Sequence, residues 1–271
     1  MPDITLTKLW NYPLKSAKGI ELSSAAVTPR GLQYDRQWAL FDSDGQVITA
    51  RDYPQLLRLS PNVTTQGLEL SLDSTIVLRA PIAEMTAAAV TPVKIFSQPA
   101  AGQLSSTVVN EWFSNYLGIE CRLMYMPESV RRPLLEKYGG QPGQVVSYAD
   151  VAPLMMLSTA SLADLNSRLD QPVSLQHFRP NVVIDGCAAF EEENCTAVQI
   201  GTQRFVVAER CKRCVFTTID PVTQEKRRDG EPLRTLAGYR RHPRGGVSFG
   251  ILLVPVGEGT IKTGDEVELV F

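Results

Sequence analysis

Residues 204–220 set the strongest constraint on what this chain can be. Arg204-Phe205-Val206-Val207-Ala208 is β-branched and apolar, the composition of a strand. It runs into Cys211-Lys212-Arg213-Cys214, and the Val215-Phe216-Thr217-Thr218-Ile219 that follows is again β-type, with no helical apolar spacing before Leu233. Two thiols with β-type sequence on both sides argue against a thioredoxin-type redox pair, whose first Cys opens a helix and has its pKa lowered there. A structural zinc site needs four ligands at short spacing, whereas Cys121, Cys187, Cys195, His177 and His242 are scattered singly. Two readings stay open. One is a soft thiolate binding a soft, higher-valent metal whose other ligands come from a cofactor, with Lys212 and Arg213 facing an anion. The other is a pair of small buried residues in a strand.

The same β character covers most of the chain. Ile4 to Trp10 alternates apolar and polar, and Glu21–Thr28 and Gln37–Phe41 read as strands, the latter entering a turn at Asp42-Ser43-Asp44-Gly45. From Pro54 to Leu78 the pattern stays β, with Leu68, Leu70 and Leu72 on one face. Pro92–Phe96 is a further strand, and Gln98–Gly102 reads as a small-residue linker. Ser105–Leu117 is predicted helical, with Val108, Val109, Trp112, Phe113, Tyr116 and Leu117 on one face, a Ser at its start and Gly118 at its end. Cys121–Met126 and Leu154–Leu157 are predicted strands, and Ser158 caps a helix carrying Leu162, Leu165 and Leu169. Phe190–Asn194 reads as an exposed acidic loop, and Glu231–Arg240 as a short helix. Val247–Pro255 and Gly259–Val267 read as two strands closing a β-rich domain, most simply a barrel.

Several polar groups stand at positions where a turn or a proline would present them rigidly. Lys15, Ser16 and Lys18 sit in a Pro-started, Gly-ended loop, either an anion clamp or a solvated turn. Arg36 precedes a strand beside Asp35, which either pairs with it structurally or aims it at a ligand; Arg51 is a second candidate of that kind. Arg179 and Asn181 flank Pro180 just before an apolar strand, a geometry suited to a planar anion. The Gly- and Pro-rich stretch Tyr138–Gly143 reads as a cover over a site.

A length of 271 residues with 44% hydrophobic and 21% charged residues is that of a globular chain of one large or two ordinary domains. The net charge of −2 gives no electrostatic basis for a nucleic-acid partner. No apolar run reaches the length of a bilayer span, the first residues lack the pattern of a secretory signal, and five irregularly spaced cysteines fit a reducing compartment. The expected location is cytoplasmic, with no membrane partner.

Taken in order, His177-Phe178-Arg179-Pro180-Asn181, Gly201-Thr202-Gln203-Arg204-Phe205, Cys211-Lys212-Arg213-Cys214-Val215-Phe216-Thr217-Thr218, Glu231-Pro232-Leu233-Arg234-Thr235-Leu236 and Ile261-Lys262-Thr263-Gly264-Asp265 resemble a MOSC domain. Tyr12-Pro13-Leu14-Lys15-Ser16, Asp35-Arg36-Gln37-Trp38 and Thr49-Ala50-Arg51 resemble the β-barrel domain that precedes it in YcbX-type proteins and mitochondrial amidoxime reducing components. The resemblance implies a mostly β fold with a few helices (α+β): an N-terminal β-barrel-like domain over 1–122 and a MOSC β-barrel domain over 123–271.

It also implies a molybdenum cofactor (molybdopterin) enzyme, independent of pyridoxal phosphate, that reduces N-hydroxylated compounds to amines or amidines in a detoxification role. Cys214 would be the metal ligand, kept deprotonated by the metal and by Arg213. Lys15, Ser16, Arg36, Asp150, Arg179, Asn181, Lys212 and Arg213 would contact the cofactor, with Asp150 also positioning groups or supplying protons. Relatives often carry Ser at the position of Lys212 and hydroxyl residues at those of Val151 and Ala152, so contacts at 151 and 152 would fall to backbone amides. The Cys-x4-Cys-x2-Cys run of a plant-type iron–sulfur domain is absent from the sequence. Electrons would then come from a separate protein, a flavin reductase, a ferredoxin-like protein or one like cytochrome b5. A persulfide-based sulfur transferase and a non-enzymatic cofactor carrier are the alternative functions.

Overall fold

The backbone hydrogen bonds of the first strand decide the architecture. In the computed structural model, which describes residues 3–271, Thr5–Asn11 pairs with Val182–Asp185 on one side. On the other it meets the chain's end: Thr5 bridges Glu266, Leu6 N–H donates to Asp265 C=O at 2.9 Å, and Val267 N–H to Ile4 C=O at 2.8 Å. An eight-stranded sheet runs in the order Val267–Val270, Ala197–Ile200, Gln203–Arg213, Val247–Val256, Leu154–Ser158, Val182–Asp185, Thr5–Asn11, Ile20–Leu22. The contact of Thr5–Asn11 with residues 264–267 closes seven of these strands into a barrel and removes their free edges. The one parallel pair, Leu154–Ser158 with Val182–Asp185, spans a crossover carrying the helix Thr159–Asn166.

The interior is apolar. Leu6, Leu9, Val198, Ile200, Phe205, Ile251 and Leu253 are fully buried there, each such side chain contributing about 1.5–3 kcal/mol. Leu6 and Leu9 lie three apart, an odd spacing for one strand face. A bulge between Leu6 and Lys8 turns both inward. On the barrel's outer surface Met155, Leu157, Leu252 and Val254 pack with Leu165, Phe178, Leu236 and Phe249, so Val247–Val256 is buried on both faces.

A second sheet, ordered Trp38–Phe41, Arg122–Tyr125, Gln98–Leu104, Val90–Ile95, and a three-stranded meander, Ser60–Val63, Gly67–Leu72 and Thr75–Pro81, hold the other main core. Leu40, Leu56, Leu68, Leu70, Phe113 and Leu123 meet there against the helix Thr107–Leu117. Strands Ser24–Thr28 and Gly31–Leu32 pair with Gly259–Lys262. Hydrogen bonding therefore crosses residue 122: the strands of the first 32 residues join those of the C-terminal half.

Several local expectations change. Gln98–Gly102 is no linker but part of the strand Gln98–Leu104, because Ala100 and Ala101 pair with Val93 and Pro92. Pro54–Arg58 is a 3-10 turn that starts at a proline, whose fixed φ and missing N–H suit the first position of a helical turn. Val108 is 73% exposed while Val109, Phe113 and Leu117 are buried, a narrower stripe than expected. The acidic stretch turns inward: Glu192 accepts from Ser158 N–H at 3.1 Å and Ser161 Oγ at 2.7 Å, and Glu193 pairs with Arg240 and accepts from Gly250 N–H. The C-terminal segment holds three strands, not two, Gly259–Lys262 and Val267–Val270 being separate. The N-terminal reading includes Met1 and Pro2, which lie outside the described residues.

Candidate functional site

The strand Gln203–Arg213 delivers the paired cysteines. It pairs with Val247–Val256 but shifts register twice, between Val207 and Glu209 and between Arg210 and Lys212, and bulges of this kind re-aim side chains. Cys211 turns inward and is buried, and Cys214 is exposed. Val215–Thr218 forms a single 3-10 turn directly after Cys214, with Thr217 Oγ1 donating to the Cys214 carbonyl at 3.0 Å, where continued β structure was expected. The strand-borne thiol thus sits at the mouth of a turn.

Cys214 forms part of the wall of a cleft of about 1000 Å³, solvent-open mouth included. The lining includes Lys15, Ser16, Arg36, Thr49, Arg51, Asp150, Val151, Ala152, Phe178, Arg179, Cys211, Lys212, Arg213 and Phe216. Residues from six separated stretches of the chain therefore converge, and all the expected site residues but Asn181 are among them. The loop that was expected to be a cover is pinned to the cysteine strand. Gly139 has φ +78°, and a Cβ there would lie 2.1 Å from the Ala208 carbonyl oxygen, so only glycine lets the loop sit that close. Tyr138 beside it lines the cleft.

Lys15, the solvated-turn candidate, is buried and pairs with Asp150 while donating to the Tyr148 carbonyl at 2.8 Å; Lys18 is the exposed member of that loop. Burial pushes its ammonium down to about 8, partly offset by Asp150. Asp150 also accepts from Arg51 at 2.7 Å. Desolvation acts to raise its carboxyl, but Lys15 and Arg51 outweigh it and hold the group well below the usual carboxylate range. An acid held ionised carries no proton to give, so the geometry fits positioning and counts against proton supply by Asp150.

The second cationic cluster is built on Tyr12. Arg36 and Arg179 stand 4.4 and 4.1 Å from its ring centroid, and burial pushes the phenol up to about 12. Asp35 does aim Arg36: its carboxylate, fully buried, pairs with that guanidinium and accepts from Tyr12 N–H and Asn181 Nδ2, both at 2.9 Å. Arg36 Nη1 also donates to Asn181 Oδ1 at 2.8 Å. Arg179, at φ +54°, donates to the Ala17 carbonyl at 2.6 Å, and burial lowers it to about 10.

Three expectations are corrected. Asn181 does not reach the cleft: its amide is spent on Arg36, Met155 N–H, Trp10 C=O and Asp35, so it works through Arg36. Lys212 is exposed and donates to the Arg244 carbonyl at 3.0 Å, which turns its ammonium to the rim. Arg213 does not serve the Cys214 sulfur: it donates to Cys211 Sγ and to the Phe178 carbonyl, both at 2.8 Å. The guanidinium on Cys214 Sγ, at 3.3 Å, is that of Arg51. The sequence marked Arg51 as a candidate cation without placing it, because its nearness to a thiol 163 residues away is tertiary. Tyr12 and Phe96 fall in stretches the sequence picked out, a family motif and a predicted strand, but neither was marked as a site residue; the Phe96 ring lies 4.7 Å from Arg51 and 5.9 Å from Lys15.

The site as a whole is short of acceptors. Arg51 Nε, Arg179 Nη2 and Arg213 Nε are buried without hydrogen-bond partners. Buried donors of this kind ordinarily find a partner, and three on arginines that line one cleft fit an anionic guest. Among the described residues no three His, Cys, Asp or Glu converge to hold a metal ion. No helix of the described residues is long and apolar enough to cross a membrane.

Residues 3–120 match the MOSC N-terminal beta barrel domain and residues 143–268 the MOSC domain. The chain is 36% identical to mitochondrial amidoxime-reducing component 1 of Homo sapiens, covering 98% of this chain and 82% of that protein. It is 33% identical to the Mus musculus counterpart over the same shares, and 33% identical to component 2 of Homo sapiens over 87% of this chain and 72% of that one. Among solved structures, the YuaD protein of Bacillus subtilis aligns over 98% of this chain and 97% of its own at 10% identity, with a TM-score of 0.42 too low to carry argument. With both domains matched and such identity along nearly its whole length, the chain belongs to the MOSC-domain family that includes the mitochondrial amidoxime-reducing components.

Proposed function

We propose that the chain is an oxidoreductase that reduces N-hydroxylated compounds, using a molybdenum cofactor in the cleft with Cys214 as the protein's ligand. The observation that carries this reading is the exposed Cys214 thiol in the wall of a cleft that Lys15, Arg36, Arg51, Arg179 and Arg213 also line. The donor set fits the group: one soft thiolate suits a metal whose other ligands the cofactor brings, and Arg36, Arg179 and Lys15 suit its anionic end. The names of the relatives, which refer to amidoxime reduction, support the substrate class. When bound, the cofactor would supply the redox couple and the site that accepts oxygen.

The chain's own residues have separate tasks in this reading. Arg51, fixed by Asp150, steadies Cys214 Sγ from one side. Asp35 and Asn181 orient Arg36, and Arg179 is presented from the rigid turn at Pro180. The net reaction breaks the substrate N–O bond, takes up two electrons and two protons, and releases water. Lys15 Nζ, buried at the cleft with its ammonium lowered to about 8, is the acid best matched to hold one of those protons near neutrality. The electrons would come from a separate electron-transfer protein.

The test is metal and pterin analysis of protein expressed with ample cofactor supply, together with turnover of an amidoxime by a chemical reductant. Stoichiometric molybdenum and turnover, both lost in Cys214→Ala, are expected. Metal without turnover would leave a carrier, and turnover of sulfur transfer without metal would leave a persulfide enzyme; either result overturns the proposal.

A further inference from the structure

Phe96 occupies a turn position that a smaller residue would fill at less cost. It and Ser97 form the two-residue turn between Val90–Ile95 and Gln98–Leu104, where Ile95 pairs directly with Gln98. Phe96 has φ +53°. That left-handed conformation favours Gly, Asn or Asp at such turns and is costly for a bulky side chain. The ring is also 40% exposed, so burial returns little of that cost. Both penalties fall at one spot: the ring lies 4.7 Å from the guanidinium of Arg51, which donates to Cys214 Sγ, and 5.9 Å from Lys15 Nζ. Val215, next to Cys214 in the chain, is also 38% exposed. Strain and exposed apolar area together, beside two cations that line the cleft, are the marks of a binding element.

We propose that Phe96 is a specificity-determining residue: the solvent-facing part of its ring stacks on aromatic or other flat apolar substituents of the substrate and so selects aryl over small alkyl N-hydroxylated compounds. The inference rests on the proposed function in taking this cleft as the substrate site. Arg51 and Lys15 leave part of the ring uncovered, and an aromatic substituent lying there keeps the N-hydroxyl end near Cys214. Stacked and edge-on aromatic pairs have a stabilisation that corresponds to about a threefold to tenfold preference.

The experiment compares benzamidoxime with acetamidoxime as substrates of the cofactor-loaded protein, in wild type, Phe96→Asn and Phe96→Trp. Asn suits the turn better than Phe, so the variant keeps the hairpin. In Phe96→Asn the aryl-to-alkyl ratio of kcat/KM should fall about threefold to tenfold, through the KM for benzamidoxime, and Phe96→Trp should restore it. Equal losses on both substrates, or an unchanged ratio, would overturn the proposal and leave the ring as a cover for Arg51. Binding of the non-reducible benzamidine and acetamidine, followed by saturation-transfer NMR, separates the two levels. A preference for benzamidine that Phe96→Asn abolishes would uphold the role of Phe96 even if neither amidoxime is reduced, which would sink the reductase reading alone; no preference in wild type would sink the role of Phe96.

Discussion

Replacing Asn181 by Leu removes a residue that touches nothing in the cleft but holds together what does. The side chain is nearly the same size, 1% exposed, and makes four hydrogen bonds: to Trp10 C=O, Met155 N–H, the Asp35 carboxylate and the Arg36 guanidinium. The two backbone partners would each be left unsatisfied at about 1 kcal/mol, and the two charged partners at about 1.5–3 kcal/mol. The apolar surface of leucine offsets about 1–2 kcal/mol. The net cost is then about 3–7 kcal/mol, which for a chain of this size lowers Tm by about 6–28 °C. Differential scanning fluorimetry of Asn181→Leu and wild type measures it, and Asp35→Asn serves as a comparison that removes a charge while keeping the shape. A Tm loss under about 3 °C would refute the reasoning, since the four bonds could not then be the structural tie between the first strand and Arg36.

Lys15 gives a pH signature. Its folded pKa, about 8, lies below the ordinary 10.5, so the unfolded chain binds more protons between those values. Stability therefore rises from pH 8 to about 10.5 as the cost of burying the ammonium is relieved, and below pH 8 that cost is carried in full; Lys15→Met should flatten this rise in a Tm series across pH 7–10.5. Arg179→Lys keeps the charge but loses the planar fork with its unpartnered Nη2, so pterin retained after gel filtration should fall about tenfold. Gly139→Ala drives a Cβ to within 2.1 Å of the Ala208 carbonyl at φ +78°, and should free the 136–140 segment to limited proteolysis at about tenfold the wild-type rate.

The β-rich fold and most of the residues that line the candidate cleft were legible in the sequence because each rests on local information. Alternation around Leu68 and Leu70, the Gly118 cap and the proline beside Arg179 are short-range signals that tertiary structure left in place. The misreadings share a cause. Gln98–Gly102 looks like a linker because its residues are small, and only pairing with Val90–Ile95 makes it a strand. Glu192 and Glu193 look solvated because their partners, Ser158, Arg240 and Gly250, are distant in sequence. The assignment of Arg213 to Cys214 followed sequence adjacency, whereas the bulge between Arg210 and Lys212 turns that guanidinium back to Cys211 and leaves the sulfur to Arg51.

The closing of the barrel between Thr5–Asn11 and residues 264–267 has a consequence for biosynthesis. The strand Thr5–Asn11 cannot make the contact that closes the barrel until residues 264–267 have been synthesised. Through most of translation Leu6 and Leu9 have no barrel to enter, and the nascent chain carries an open sheet edge that invites association with other chains. A ribosome stalled short of residue 264 would hold a barrel with its seam undone, so a holdase acting on the N-terminal strand would matter most at that stage.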